Sequence, residues 1–262
     1  MLLVDRSLET SYITFGLTHD ESGEGSFEIH SRLTADRVGA ADAALISTPE
    51  IGLLTETHRA DPGFGLWTSG AGAIAMRTPV RPDEIEDAAI LLYDVSGAAE
   101  LLARATIWPF YGIKATAWLS EPDGSSTVSI LDGLDALEPV EAGFSEDLVR
   151  AWYILTNQPL VTHLLSVPMG ASAEQLLDVR SRLVAARSLG HAVRRDVRKQ
   201  LLADTAIEGE RLVEILGRVQ HELDGATRAA AYSLIARGSG GTRYPLLREI
   251  PWWEPPTEAS VD

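Results

Sequence analysis

Apolar positions in this chain switch repeatedly between short continuous runs and helical spacing, the pattern of strands alternating with helices. Leu2 to Asp5, Phe27 to His30 and Ala43 to Ser47 read as strands, and Leu8 to Leu17 fits either helix or strand. Residues 19–25 are polar and contain glycine, as surface loops do, and Thr34 is placed to cap a short helix ending at Gly39. Leu66 to Thr78 reads as one strand with Ser69, Gly70, Ala71, Gly72 and Ala73 at its centre, small residues that mark a bulge or a close backbone approach. Ile90 to Tyr93 forms the next strand, and Ser96 caps a helix reaching Thr106 or Ile107. Lys114 to Leu119 and Thr127 to Leu131 flank the turn Glu121-Pro122-Asp123-Gly124, and Asp132 to Leu137 reads as a short helix.

The stretch Phe144 to Pro168 organises the chain. Leu148, Val149, Trp152, Tyr153 and Leu155 recur at helical spacing, with Ser145 as N-cap and Glu146 and Asp147 in the first turn. Pro159 cannot continue a helix and disfavours helical geometry at Gln158, so the helix ends near Thr156 or Asn157. Leu160 to Val167 is then a buried strand. From Ser172 onward the chain is helical. Ser172 and Gln175 form a capping box, Gly190 interrupts, and further helices span His191 to Ala203 and Glu208 to Glu222. A last helix is capped by Asp224 and ends at Gly238, and the Trp252-Trp253 tail docks on the body.

Strand–helix–strand order implies parallel sheets with the ligand at the carboxyl ends of their strands. Two breaks bracket a middle βαβ block. The expected organisation is therefore α/β with two lobes, residues 1–78 with 168–262 and residues 79–167, joined by two crossing segments.

Composition narrows the function. A net charge of −16 argues against nucleic acid, whose phosphates need a basic face, and leaves the run Arg194, Arg195, Arg198, Lys199 as a solvated helix face. The absence of cysteine excludes disulfides, thiolate nucleophiles and cysteine-based metal sites. The six histidines are scattered, with no HxxxH pair, so no metal site is expected. Neither an export leader nor a long apolar span is evident, so the expectation is a cytoplasmic protein with no membrane partner. Oligomeric state leaves no signal.

Asp147-Leu148, Trp152, Thr156 and Pro159-Leu160-Val161 resemble the DL-x3-W-x3-T-x2-P-[FL]-V segment of the menaquinone-pathway (futalosine route) chorismate dehydratase family. In matching order, Asp42 to Glu50 resembles that family's D-[VI]-A-L-I-P-S-I-E. Ser96 with Pro109-Phe110-Tyr111-Gly112 resembles its S-x-T-S, helix, YYG stretch, and Asp135-Ala136-Leu137 its D-A-L. The resemblance implies a two-lobed type 2 periplasmic-binding-protein-like fold, no cofactor, and a carbon–oxygen lyase that dehydrates chorismate to an aromatic enolpyruvyl ether. The sequence departs from the family where Asp5-Arg6-Ser7-Leu8 lacks its early Asn, where Ile74 replaces its strand Ser, and where Ala98 and Ala99 replace its hydroxyls. A non-catalytic cytosolic binding protein or sensor for a small carboxylate is therefore the alternative.

Strand ends, a helix N-terminus and a glycine-bearing strand converge on an expected carboxylate site. Ser7, Thr48, Ser69, Gly70, Ser96, Gly97 and Asn157 are its expected ligand-binding residues. Glu50, Ser96 and His163 are the candidate catalytic groups, with Asp132 and Asp135 nearby. Glu50 also reads as a structural partner, Ser96 as a simple cap, and His163 as a hydrogen-bonded core residue.

Overall fold

The computed structural model describes residues 1–20, 26–122 and 124–255. Residues 21–25 of the loop expected at 19–25, Asp123 of the predicted turn and the last seven residues lie outside this set. Six strands form the first sheet: β1 (Leu2–Arg6), β2 (Phe27–Ser31), β3 (Ala43–Ser47), β4 (His58–Thr68), β10 (Leu160–Pro168) and β11 (Gln220–Glu222). Their order is β11-β4-β10-β3-β1-β2. Five strands form the second: β5 (Ile74–Thr78), β6 (Asp87–Leu91), β7 (Lys114–Leu119), β8 (Val128–Asp132) and β9 (Phe144–Asp147), in the order β7-β6-β8-β5-β9.

The two sheets repeat one plan. In the first, β1 lies parallel to β2 and β3, and β10 arrives from the other lobe to run antiparallel between β3 and β4. In the second, β6 lies parallel to β7 and β8, and β5 runs antiparallel between β8 and β9. The chain is thus a two-lobed α/β protein.

Both changes of lobe fall earlier than the pattern predicts. The segment Leu66 to Thr78 is two strands in two different sheets, so the first crossing is residues 69–73 rather than Pro79. Gly70 takes a left-handed φ of 77° there, and a Cβ at Gly72 would overlap the Val149 side chain. β10 belongs to the first sheet, which moves the second crossing to residues 157–159, before the strand instead of after it. An apolar run announces a buried strand but not which sheet receives it.

Helix α3 (Leu148–Thr156) follows β9 and is capped by Asp147 rather than Ser145, which lies within the strand. Asp147 Oδ1 accepts from Val149 N (2.8 Å) and Arg150 N (3.0 Å), and its Oδ2 accepts from Gly72 N (3.1 Å). One carboxylate therefore joins the helix start to the first crossing. The helix ends as predicted, with Asn157 in the left-handed region (φ 53°) ahead of Pro159. Buried Trp152 closes the second crossing by donating its indole N–H to Pro159 O (3.1 Å).

Gly190 does not interrupt a helix. Helix α4 (Ala173–Ala192) runs through it and breaks at Val193, before α5 (Arg194–Leu201). A Cβ at Gly190 would strike the Tyr12 carbonyl, and one at Gly16 the Ala186 carbonyl, so α1 (Ser11–Thr18) and α4 cross at backbone contact. The glycines serve helix packing, which chain order alone does not reveal. The predicted box of Ser172 with Gln175 starts α4, and Asp224, predicted as a cap, forms a further box with Thr227 at the start of α7 (Gly225–Gly238). Helix α6 (Gly209–Arg218) lies between them, and α2 (Gly97–Thr106) packs in the second lobe.

One apolar cluster joins Leu3, Ile46 and Leu164 of the first lobe to Met76, Ile90 and Ile130 of the second. Another joins Leu8 and Tyr12 to Leu137, Val197 and Leu212, so the segment carrying α5 and α6 bridges the lobes. The tail docks, with Trp253 N donating to Ala60 O (2.7 Å) and its indole to Ala171 O (3.1 Å). Among the described residues no helix is long and apolar enough to cross a membrane.

Candidate functional site

A cavity of about 600 Å³ lies between the lobes at the carboxyl ends of the strands. Below α1, the turn after β1 carries one wall. Ser7 N donates to Thr10 Oγ1 (2.9 Å), Thr10 N donates back to Ser7 Oγ (3.2 Å), and Thr10 Oγ1 donates to Asp5 O (2.7 Å). These bonds fix the turn that presents Arg6, Ser7 and Glu9 to the cavity. Burial raises the Glu9 carboxyl above the usual carboxylate range. The charge of His163 opposes that shift, and Asp132 reinforces it.

Beneath Glu9 lies a buried polar pair. Asp5 and His163 are each 2 % exposed, and His163 Nε2 lies 3.3 Å from Asp5 Oδ2. The other ring nitrogen contacts Thr162 Oγ1 (3.0 Å), and Asp5 Oδ1 accepts from Leu33 N (2.8 Å). Both imidazole nitrogens are therefore engaged inside the fold, although the ring borders the cavity.

The far rim is ionic. Arg32 follows β2 and grips the second lobe: its NH2 donates to Asp132 Oδ1 (2.6 Å) and its NH1 to Asp132 Oδ2 (3.1 Å). Its Nε donates to Asp94 Oδ1 (3.3 Å), and its NH2 also donates to Asp94 O. Arg32 (φ 56°) and Asp94 (φ 50°) both hold left-handed backbone, a conformation that costs a side-chain-bearing residue energy and persists only where contacts enforce it. By contrast, Arg6 is exposed at the cavity edge, and no described residue forms a hydrogen bond or ion pair with its side chain.

Only part of the expected site lines this cavity. Ser7, Ser96 and His163 do, as do Asp132 and Asp135. Ser96 caps α2 by accepting from Ala99 N (3.2 Å). Thr48 is buried and donates to Val161 O (2.7 Å). Ser69 and Gly70 belong to the first crossing, where Ser69 O accepts from Arg218 NH1 (3.3 Å), and Asn157 terminates α3. Glu50 and Gly97 border a separate recess of about 50 Å³. The Glu50 carboxyl is raised by burial, yet it accepts from Ala35 N (2.9 Å) and Tyr244 OH (3.1 Å) and pairs with Arg243. A Cβ at Gly97 would overlap the Tyr244 hydroxyl, so that glycine makes room for a side chain of this network.

Glu9, Arg6 and Arg32 were not predicted. The Ser7-x-x-Thr10 spacing after a strand end is a local signal for the turn that places Glu9. Arg32 has none, because its partners lie 62 and 100 residues away. Among the described residues no group of three or more His, Asp or Glu side chains is placed to hold a metal ion.

No sequence family and no curated protein matches the chain. Solved structures do. Protein AF1704 of Archaeoglobus fulgidus superposes with a TM-score of 0.66 at 13 % identity, over 91 % of this chain and 96 % of that one. The periplasmic aliphatic sulphonate binding protein SsuA of Escherichia coli gives 0.64 at 12 % identity, over 100 % and 94 %. The Candida albicans CA3427 product, which exhibits the generic periplasmic binding protein fold, gives 0.53 at 12 %, over 89 % and 87 %. These likenesses show the fold: type 2 periplasmic-binding-protein-like, with two α/β lobes.

Proposed function

We propose that the interlobe cleft binds a small cyclic carboxylate and that the chain acts on it as a cytoplasmic carbon–oxygen lyase of the chorismate dehydratase type. The observation that carries this reading is Glu9, a half-buried carboxyl that lines a cavity of substrate size, where desolvation raises it above the usual carboxylate range. Losing water from a hydroxy-cyclohexadiene needs a proton for the departing hydroxyl and removal of one from carbon, and aromatisation supplies the driving force. Glu9 supplies the proton to the hydroxyl. Arg6, which no described residue pairs, holds the carboxylate, and His163, with both ring nitrogens engaged by Asp5 and Thr162, helps to shape the cavity wall. The proton on carbon is left to the substrate's own carboxylate or to the Glu9 carboxylate once it has given up its proton.

The test is incubation with chorismate, followed by absorbance of the aromatic ether, beside calorimetric binding. Glu9→Gln is expected to lower turnover by about 10²–10⁴-fold with binding within a few-fold of wild type. Full turnover in Glu9→Gln refutes its role. Absence of turnover in a wild type that binds chorismate favours the second reading, a non-catalytic binding protein or sensor. That reading draws on the departures from the family pattern and on Thr48, Ser69, Gly70 and Asn157 lying outside the cavity.

A further inference from the structure

Sequence logic places a ligand carboxylate at the N-terminus of α2, and the structure does hold a carboxylate there, supplied by the chain itself. Asp132 Oδ2 accepts from Ser96 N (2.8 Å) while both its oxygens are gripped by Arg32. Two further donors of that helix end are taken within the protein: Ala98 N donates to Ser47 Oγ (2.9 Å) and Ala99 N to Ser96 Oγ (3.2 Å). The Asp132 side chain is 8 % exposed and that of Arg32 33 %, so the pair closes the cleft rim with the guanidinium still facing the cavity.

We infer that Asp132 is a built-in anion: it fills the anion position between Arg32 of the first lobe and α2 of the second, latches the lobes without ligand, and excludes a ligand carboxylate from that end of the cleft. Three features carry this. The Arg32–Asp132 pair is bidentate, a geometry a guanidinium otherwise uses for bound carboxylates. It spans the two lobes, one residue from each. Arg32 and its second partner Asp94 both hold left-handed backbone, at a cost only a specific contact maintains. A second carboxylate brought here meets the charge of Asp132, with Arg32 and the N–H groups of Ser96, Ala98 and Ala99 already engaged, so discrimination comes from repulsion as much as from fit. Arg6, which no described residue pairs, is left to meet a ligand.

The experiment is rescue by formate, the smallest carboxylate. In Asp132→Ala, sodium formate should raise the melting temperature by about 3–6 °C at ten times its dissociation constant, measured against sodium chloride at equal ionic strength. In wild type and in Asp132→Ala/Arg32→Gln, formate should shift it no more than chloride does. Equal shifts in all three proteins, or none in Asp132→Ala, overturn the inference. Asp132→Ser, which keeps an oxygen for Ser96 N, is read in the same way and serves where the alanine variant does not fold. Because formate probes only the vacated position, the result stands or falls independently of whether chorismate is bound.

Discussion

Asp147 offers the sharpest test of how the lobes are joined. Its carboxylate accepts three backbone N–H bonds, two from the first turn of α3 and one from Gly72 in the first crossing. Replacing an N-cap aspartate by alanine costs about 0.5–2 kcal/mol. Leaving the Gly72 N–H partly buried and unpaired adds about 1–3 kcal/mol. Because burial raises the Asp147 carboxyl, with the three N–H groups only partly offsetting it, some of this loss is returned when the buried charge is removed. The net expectation for Asp147→Ala is about 2–3 kcal/mol, or about 4–12 °C in melting temperature at the 2–4 °C per kcal/mol of a chain this size. Asp147→Ser separates the contributions: serine caps the helix but is too short to reach Gly72, so it should recover about half the loss. Urea denaturation followed by far-ultraviolet circular dichroism measures both variants. A loss below about 0.5 kcal/mol for alanine, or full recovery by serine, would refute the view that this carboxylate ties the crossing to the helix.

Gly190→Ala should destabilise by about 1–3 kcal/mol, although alanine favours helices, because its Cβ meets the Tyr12 backbone; Gly217→Ala, with open space around it, should stabilise by up to about 1 kcal/mol in the same melting assay. Opposite signs at two helical glycines check the helix crossing directly. Stability should also fall as pH rises. Burial raises the carboxyls of Glu9, Glu50 and Asp147, so the folded state binds more protons than the unfolded chain between the ordinary and the raised values. Their contribution is complete below the ordinary carboxylate pKa and is lost as pH climbs through the raised values. Urea midpoints measured from pH 4 upward should therefore decline across that window, and Glu50→Gln should flatten the decline if the protein still folds.

The sequence made the local rules legible and left the long-range ones hidden. Ser96, Ser172 and Asp224 cap helices because capping acts over three residues, and Pro159 ends α3 because its ring acts on its neighbours. Sheet membership was less readable. Small residues 69–73 fit the middle of a strand by pattern yet form the passage between sheets, and β10 carries no mark of the lobe that receives it. The cleft itself was half visible. Ser7, Ser96 and His163 reach it by position at strand and helix ends, whereas Arg32 enters through pairings that no periodicity encodes.

That division bears on function. Residues that carry the family resemblance have structural work: Asp147 caps and tethers, Trp152 bonds Pro159, and Thr156 Oγ1 donates to Trp152 O (2.7 Å) while accepting from Gln158 N (3.2 Å). Asp42 accepts from Gly39 N (3.1 Å), and Glu50 is held by Ala35, Arg243 and Tyr244. Of the cavity's polar groups, Ser96 and Asp135 belong to the resembled stretches, whereas Arg6, Glu9 and Arg32 stand where the resemblance is weakest or silent. A motif whose members hold an interlobe crossing together can be shared by every protein with that crossing, whatever its cleft contains. The resemblance therefore weighs heavily for the fold and lightly for the reaction. Under the proposed function, the group that distinguishes a lyase from a binding protein is Glu9, a residue outside every shared motif.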